Sequence, residues 1–180
     1  RSSLREGIKI LTAYGVVESR QGEGTFITDN VARNFFEYMG FFPSKENSEY
    51  LVELRRVIEV GNIAAIYDRV TPEQYNEIEQ LVDVFDEEHT IDEYVEADYN
   101  FHNMLIEITG NPMLIQVNNM IAQMRRDLLY RMFSHPEIIQ DARFSHRQIF
   151  NCLKAKDRNA CISAVADHIS TTRERIKSVY

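Results

Sequence analysis

From residue 47 onward, helix-starting signals recur at short intervals, and no convincing strand pattern separates them. Thr71-Pro72-Glu73-Gln74 joins a capping box to a proline at the first helical position. Thr90-Ile91-Asp92-Glu93 is a second capping box, and Gly110-Asn111-Pro112 closes one helix before the next. Ser134-His135-Pro136-Glu137 caps another, and Asp157 opens the last. The spacing predicts helices from about 47, over 71–88, 91–109, 113–133, 136–156 and 157–177. Leu51, Leu54, Ile58, Asn62 and Ala65 trace the inward face of the first. Amphipathic helices joined by short loops bury their apolar faces only against one another. A mainly α fold follows, an antiparallel bundle of about six to seven helices.

The N-terminal stretch reads differently. Residues 1–14 form a helix with Leu4, Ile8 and Leu11 on one face, and Gly15 stops it. Val16–Ser19 and Thr25–Thr28 are β-prone, and Arg20-Gln21-Gly22-Glu23-Gly24 makes a turn between them. Helix followed by hairpin is the second half of a winged helix-turn-helix, whose helix enters the major groove. Asn30 to Gly40 reads as a short amphipathic helix with Phe35, Phe36 and Met39 on its apolar side. Phe41-Phe42-Pro43-Ser44 breaks it. That aromatic side either packs on the main domain or belongs to a dimer contact. The expected domains are 1–28, a partial winged helix-turn-helix; 29–46, a linker; and 47–180, the all-α body.

Charge follows the same division. Residues 1–28 carry +1 and the remainder −9 of the net −8, as expected for modules with different partners. No apolar run reaches the ~18 residues of a membrane span, and no signal-peptide pattern opens the chain. A cytoplasmic protein without a membrane partner is expected. Cys152 and Cys161 have no metal-ligand spacing and read as reduced, packed thiols.

Polar residues intrude on the apolar stripes at four places. In the 91–109 helix, the line through Tyr94, Val95, Phe101 and Leu105 also passes through Asp98 and His102. In the next-to-last helix His146 lies between Ala142 and Ile149, and in the last His168 lies between Val165 and Thr172. Burying such groups without partners is costly. Each alone reads as an ordinary core group, and Asp98 with His102 as a buried pair. Together, four potential ligands point inward from three helices, although the chain has five histidines in all. An Asp and a His at i and i+4 share a helix face and can bind one ion. Asp plus three His suits zinc, nickel or manganese, with positions left for a carboxylate's oxygens.

Arg55, beside Leu51, Leu54 and Ile58, can reach the interior to hold such a carboxylate bidentately. Its other reading is a surface i,i+4 pair with Glu59. His89 and His135 lie at helix boundaries in polar context and read as solvated. A metalloenzyme, hydrolase or oxygenase, is the alternative to a binding protein. It lacks a clearly placed second carboxylate base, because Glu96 and Glu107 fall off the inner stripe.

RSSLREGIKILTAYGVVESRQGEGTFI resembles the recognition helix and wing of the GntR superfamily of bacterial transcription regulators. LVELRRVIEVGNIAAI, EADYNFHNMLIEITGNPML and SHRQIFNCLKAKDRNACISAVADHI are similar to the FCD effector domain of its FadR-like branch. The family's winged helix has about two further helices before this point, so the chain begins inside the motif. The resemblance implies a ligand-responsive regulator and not an enzyme, acting as a homodimer on operator DNA. Arg1, Ser2, Ser3, Arg5 and Gly24 would meet the DNA. Asp98, His102, His146 and His168 would hold a divalent metal, which helps bind a small organic acid, and Arg55 would be the effector-binding arginine.

Overall fold

The computed structural model describes residues 2–28, 31, 34, 38, 40 and 44–180. Two compact units comprise residues 1–42 and 43–180. The apolar side expected from Phe35, Phe36 and Met39, the break at 41–43 and Arg1 lie outside the described residues.

In the first unit, α1 (Ser2–Ala13) precedes a hairpin of β1 (Val17–Arg20) and β2 (Gly24–Ile27). The strands pair antiparallel, Val17 opposite Ile27 and Arg20 opposite Gly24. Gly15 ends α1 at φ 65°, a left-handed conformation that costs glycine least. Its carbonyl accepts from Thr28 Oγ1 at 2.6 Å and Asn34 Nδ2 at 2.8 Å. Of the expected buried face of α1, Ile8 is half-buried while Leu4 is 70% exposed and Leu11 43%. The described part of this unit is chiefly one helix and a two-stranded hairpin, too little apolar surface to cover that stripe.

The second unit is the helical bundle. Its helices are α2 (Lys45–Ile66), α3 (Pro72–Asp83), α4 (Ile91–Glu107), α5 (Pro112–Met132), α6 (Pro136–Ala155) and α7 (Arg158–Val179). Local chemistry sets most of their starts, although the expected cap of α6 at His135 makes no side-chain hydrogen bond. Thr71 and Thr90 both complete reciprocal capping boxes. Asn111 accepts from the backbone N–H groups of Met113 and Leu114, and Asp157 from those of Asn159 and Ala160. Such caps satisfy donors a helix cannot pair internally.

α3 ends earlier than expected. A 3-10 turn at Val84–Asp86 tightens the chain and turns Phe85 into the core against Tyr94 and Phe133. α2 packs chiefly on α7, α7 also on α6, and α4 on α5. The core includes Val52, Ile66, Ile78, Phe101, Ile149 and Ile169. Both cysteines are free thiols, and burial pushes that of Cys161 up to about 12. Among the described residues no helix is long and apolar enough to cross a membrane.

The inward face of α2 lies about one residue round from the expected one. Leu51, Val52, Arg55, Glu59, Asn62, Ile63 and Ile66 are buried, while Leu54 is 43% exposed and Ala65 exposed. The line that fills the interior is interrupted by two charged residues, because the middle of α2 faces a polar centre. Hydrophobic periodicity alone therefore selects the wrong phase.

Candidate functional site

Three helices bring four inward polar side chains to one point. On α4, Asp98 and His102 are 3% and 2% exposed, and His146 on α6 is fully buried. His168 on α7 is buried beside them. Ring nitrogens of the three histidines lie within 4.8 Å of one another. Asp98 Oδ1 is 3.4 Å from His146 Nε2 and 3.8 Å from His102 Nε2. Aromatic packing holds the middle ring: His146 stacks on Phe101, centroids 4.5 Å apart, and meets Phe85 edge-on at 5.0 Å.

Arg55 enters from α2, its Nη2 3.3 Å from His102 Nε2. Its Nε donates to Glu59 Oε1 at 2.6 Å. The i,i+4 pair thus exists, buried inside the bundle instead of on its surface. Two further charged residues complete the centre, and neither is foreseen from the sequence. Glu59 places Oε2 2.8 Å from His102 Nδ1. Arg125, on α5, donates to the Tyr99 carbonyl at 3.0 Å and to Asn103 Oδ1 at 3.2 Å. Its Nη1 lies 3.9 Å from Glu59 Oε1. The signal for Arg125 was its place on a stripe with Ile121, Leu128, Leu129 and Met132. For Glu59 it was Asn62 and Ile66 further along the same line.

Burial would raise the Glu59 carboxyl, but Arg55 and His102 outweigh it and hold Glu59 well below the usual range. Burial likewise opposes ionisation of Asp98, and the neighbouring His102, His146 and Arg125 reverse the sign. Burial lowers His102 to about 4 despite Glu59 and Asp98. It drives His168 well below the usual imidazole range, with His146 and His102 adding to the effect. Arg55 is held charged: Glu59 outweighs its burial and raises it. Burial, then the Arg55 charge, lowers Arg125 to about 10.

His102 and His168 are thus held neutral and Glu59 and Asp98 anionic, the protonation states that ligate metals. Both ring nitrogens of His146, Nε2 of His168 and Oδ2 of Asp98 are buried without a hydrogen-bond partner. Orphaned buried acceptors are costly in an empty core. An ion among them would satisfy one nitrogen of His146, Nε2 of His168 and Oδ2 of Asp98, so the residues fit a divalent metal. Two pockets flank the cluster. One, of about 30 Å³, is lined by Arg55, Asp98, Leu129, Phe133, His168 and Thr172 among others. The other, of about 10 Å³, is lined by Glu59, Asn62, His102, Ile149 and Val165 among others.

His89 and His135 stand apart, half-buried at helix starts beside Glu93 and Glu137. Glu96 is exposed and pairs with Arg126 at 2.7 Å, and Glu107 is exposed. In the other unit Ser2, Ser3 and Arg5 are exposed on the first turns of α1. Gly24 is exposed in the hairpin at φ 125°.

The FCD domain family matches residues 50–171 of the chain. The chain belongs to the FCD-domain GntR regulators. This FCD regulator is 24% identical to the HTH-type transcriptional regulator LutR of Bacillus subtilis, over all of its own length and 86% of the relative's. It is 25% identical to a putative L-lactate dehydrogenase operon regulatory protein of Escherichia coli, covering 98% of the chain and 72% of the relative. The structure of Streptococcus agalactiae GntR superposes with a TM-score of 0.63 at 26% identity, covering 96% of this chain and 81% of that one. These relatives are named as regulators, which speaks against the metalloenzyme alternative.

Proposed function

We propose that Asp98, His102, His146 and His168 hold a divalent ion, zinc or nickel in preference to manganese. The bound ion, with Arg55, would receive the carboxylate of a small organic acid that modulates operator binding. The observation that carries this reading is the set of buried, unpartnered donor atoms on those residues, opening onto a pocket that Arg55 lines. When bound, the ion would supply Lewis-acid positions for the acid's oxygens. Arg55 and Arg125 offset Glu59 and Asp98 in charge, so an ion leaves a positive centre suited to an anion. A relative's name refers to an L-lactate dehydrogenase operon, which fits a hydroxy acid as ligand.

Ser2, Ser3, Arg5 and Gly24, with Arg1 outside the described residues, would make the operator contacts, and the protein would work in the cytoplasm as a homodimer on a pseudo-palindromic site. Apolar lines left exposed on α2 (Tyr50, Leu54, Val57) and α5 (Met113, Val117, Met120) support pairing with a second copy. The effector acts only through a preference for one arrangement of the DNA-binding units. The test is operator affinity of the zinc-loaded protein across a panel of hydroxy and keto acids. A change of about fivefold or more is expected with an acid that binds. Equal affinity with every acid shown to bind would sink the switch.

A further inference from the structure

We infer that Ser145 and Glu59 are positioning residues that lock His168 and His102 as their Nδ1–H tautomers, leaving both Nε2 lone pairs directed into the cluster, that of His168 unpartnered and that of His102 facing Arg55. The inference deepens the metal reading and rests on it for its purpose, but the tautomers themselves are properties of the metal-free chain.

Ser145 Oγ donates its single proton to the Asp141 carbonyl, 2.8 Å away, with the Ala142 carbonyl at 3.3 Å. The same oxygen lies 2.8 Å from His168 Nδ1. A hydroxyl has one proton and two lone pairs. With its proton given to the backbone, as the geometry allows, the oxygen accepts and Nδ1 carries the hydrogen. Nε2 is then the unprotonated nitrogen, and it is buried without a partner.

At His102 two independent neighbours agree. Glu59 is held as a carboxylate by Arg55 and accepts only, and its Oε2 lies 2.8 Å from Nδ1. The contact is off the line of a good hydrogen bond. Even so, two lone pairs facing each other at that distance would repel, so Nδ1 carries the proton. On the far side of the ring, Arg55 Nη2 is 3.3 Å from Nε2, and a guanidinium only donates. It therefore faces a lone pair. His146 makes no hydrogen bond at either nitrogen, although Asp98 Oδ1 lies 3.4 Å from its Nε2, and its ring is packed by Phe101 and Phe85.

The test reads imidazole nitrogen shifts by NMR in chelator-treated protein, then zinc affinity by chelator competition. His168 and His102 of the unaltered chain should both show the Nδ1–H pattern. Ser145→Ala should mix the His168 tautomers without touching His102, and weaken zinc binding about 10–100-fold. Ser145→Thr, which keeps the hydroxyl, should restore both. In Glu59→Gln, Arg55 would take the amide oxygen and turn the NH₂ toward His102, driving the ring to Nε2–H and weakening zinc binding by a similar factor. A Nε2–H pattern in the unaltered chain, or unchanged shifts and affinity in Ser145→Ala and Glu59→Gln, would overturn the inference. If the unaltered chain shows the expected tautomers but takes up no zinc, the metal reading fails while the tautomer assignment stands.

Discussion

The Arg55 guanidinium lies 3.3 Å from Nε2 of His102, joining a charged pair on α2 to the histidine cluster of the bundle. This contact makes the cation that would hold an effector and the nitrogen that would hold an ion immediate neighbours. A ligand bridging the two would displace the contact, which gives it a route to α2 and so to the start of the bundle.

Metal loading should be visible in stability. An ion present at about 100 times its dissociation constant stabilises the native state by ~2.7 kcal/mol. In a chain of this size that corresponds to roughly 5–10 °C in Tm. Chelator should lower the Tm of the unaltered protein by that amount and leave His146→Ala unmoved. A Tm indifferent to chelator in protein shown to contain metal would count against a structural anchor.

Removing one partner of the Arg55–Glu59 pair should cost more than removing both. Each is buried, and the survivor would be an uncompensated charge. Arg55→Met should destabilise the metal-free protein by roughly 3–5 kcal/mol in urea unfolding, and Arg55→Met with Glu59→Leu should recover most of that loss. Additive losses would show that the two charges are not coupled.

Acid should weaken the metal-free fold. His102 is lowered to about 4, so it is neutral in the folded chain while its unfolded counterpart takes up a proton from about pH 6.5 downward. The unfolded state then binds more protons, and stability falls as pH drops from about 6.5 to 4, by on the order of 3 kcal/mol for this group. Glu59 and Asp98, held below their ordinary values, extend the loss to lower pH. Urea midpoints of chelator-treated protein at pH 7 and pH 4.5 should differ accordingly, and His102→Asn should flatten the upper part of that slope.

Arg5 should act on DNA and not on the effector centre. In the regulator on its operator, Arg5→Ala should weaken binding and reduce the slope of log affinity against log salt by about one if it meets a phosphate. Zinc affinity of the same variant should be unchanged. An unaltered salt slope would remove Arg5 from the phosphate contacts.

Asp98, His102, His146 and His168 were legible because each is a polar residue at a position where the 3.6-residue period demands an apolar one. Glu59 escaped because the same rule, applied to α2, favours Leu54 and Ile58 over the line that is buried. Arg125 escaped because it is followed by Arg126, and adjacent arginines near a helix end look like a solvated face. In both cases the side chain is inside because another charge is already there, and partner charges from distant segments leave no mark on local periodicity. The early end of α3 has a similar origin, since Phe85 leaves the helix to fill space made by Tyr94 and Phe133.

Helix starts, by contrast, are local affairs. Thr71, Thr90, Asn111 and Asp157 each satisfy backbone donors within three residues of themselves, so the chain needs no tertiary contact to specify them. The bundle and its four inward polar groups follow from such short-range chemistry and from the apolar period. Assembly settles the rest: which face of α2 turns inward, the burial of Arg55, Glu59 and Arg125 in one balanced group, and which nitrogen of His168 meets Ser145. Those are contacts between residues far apart in the chain, and their free energy exists only once the helices have packed.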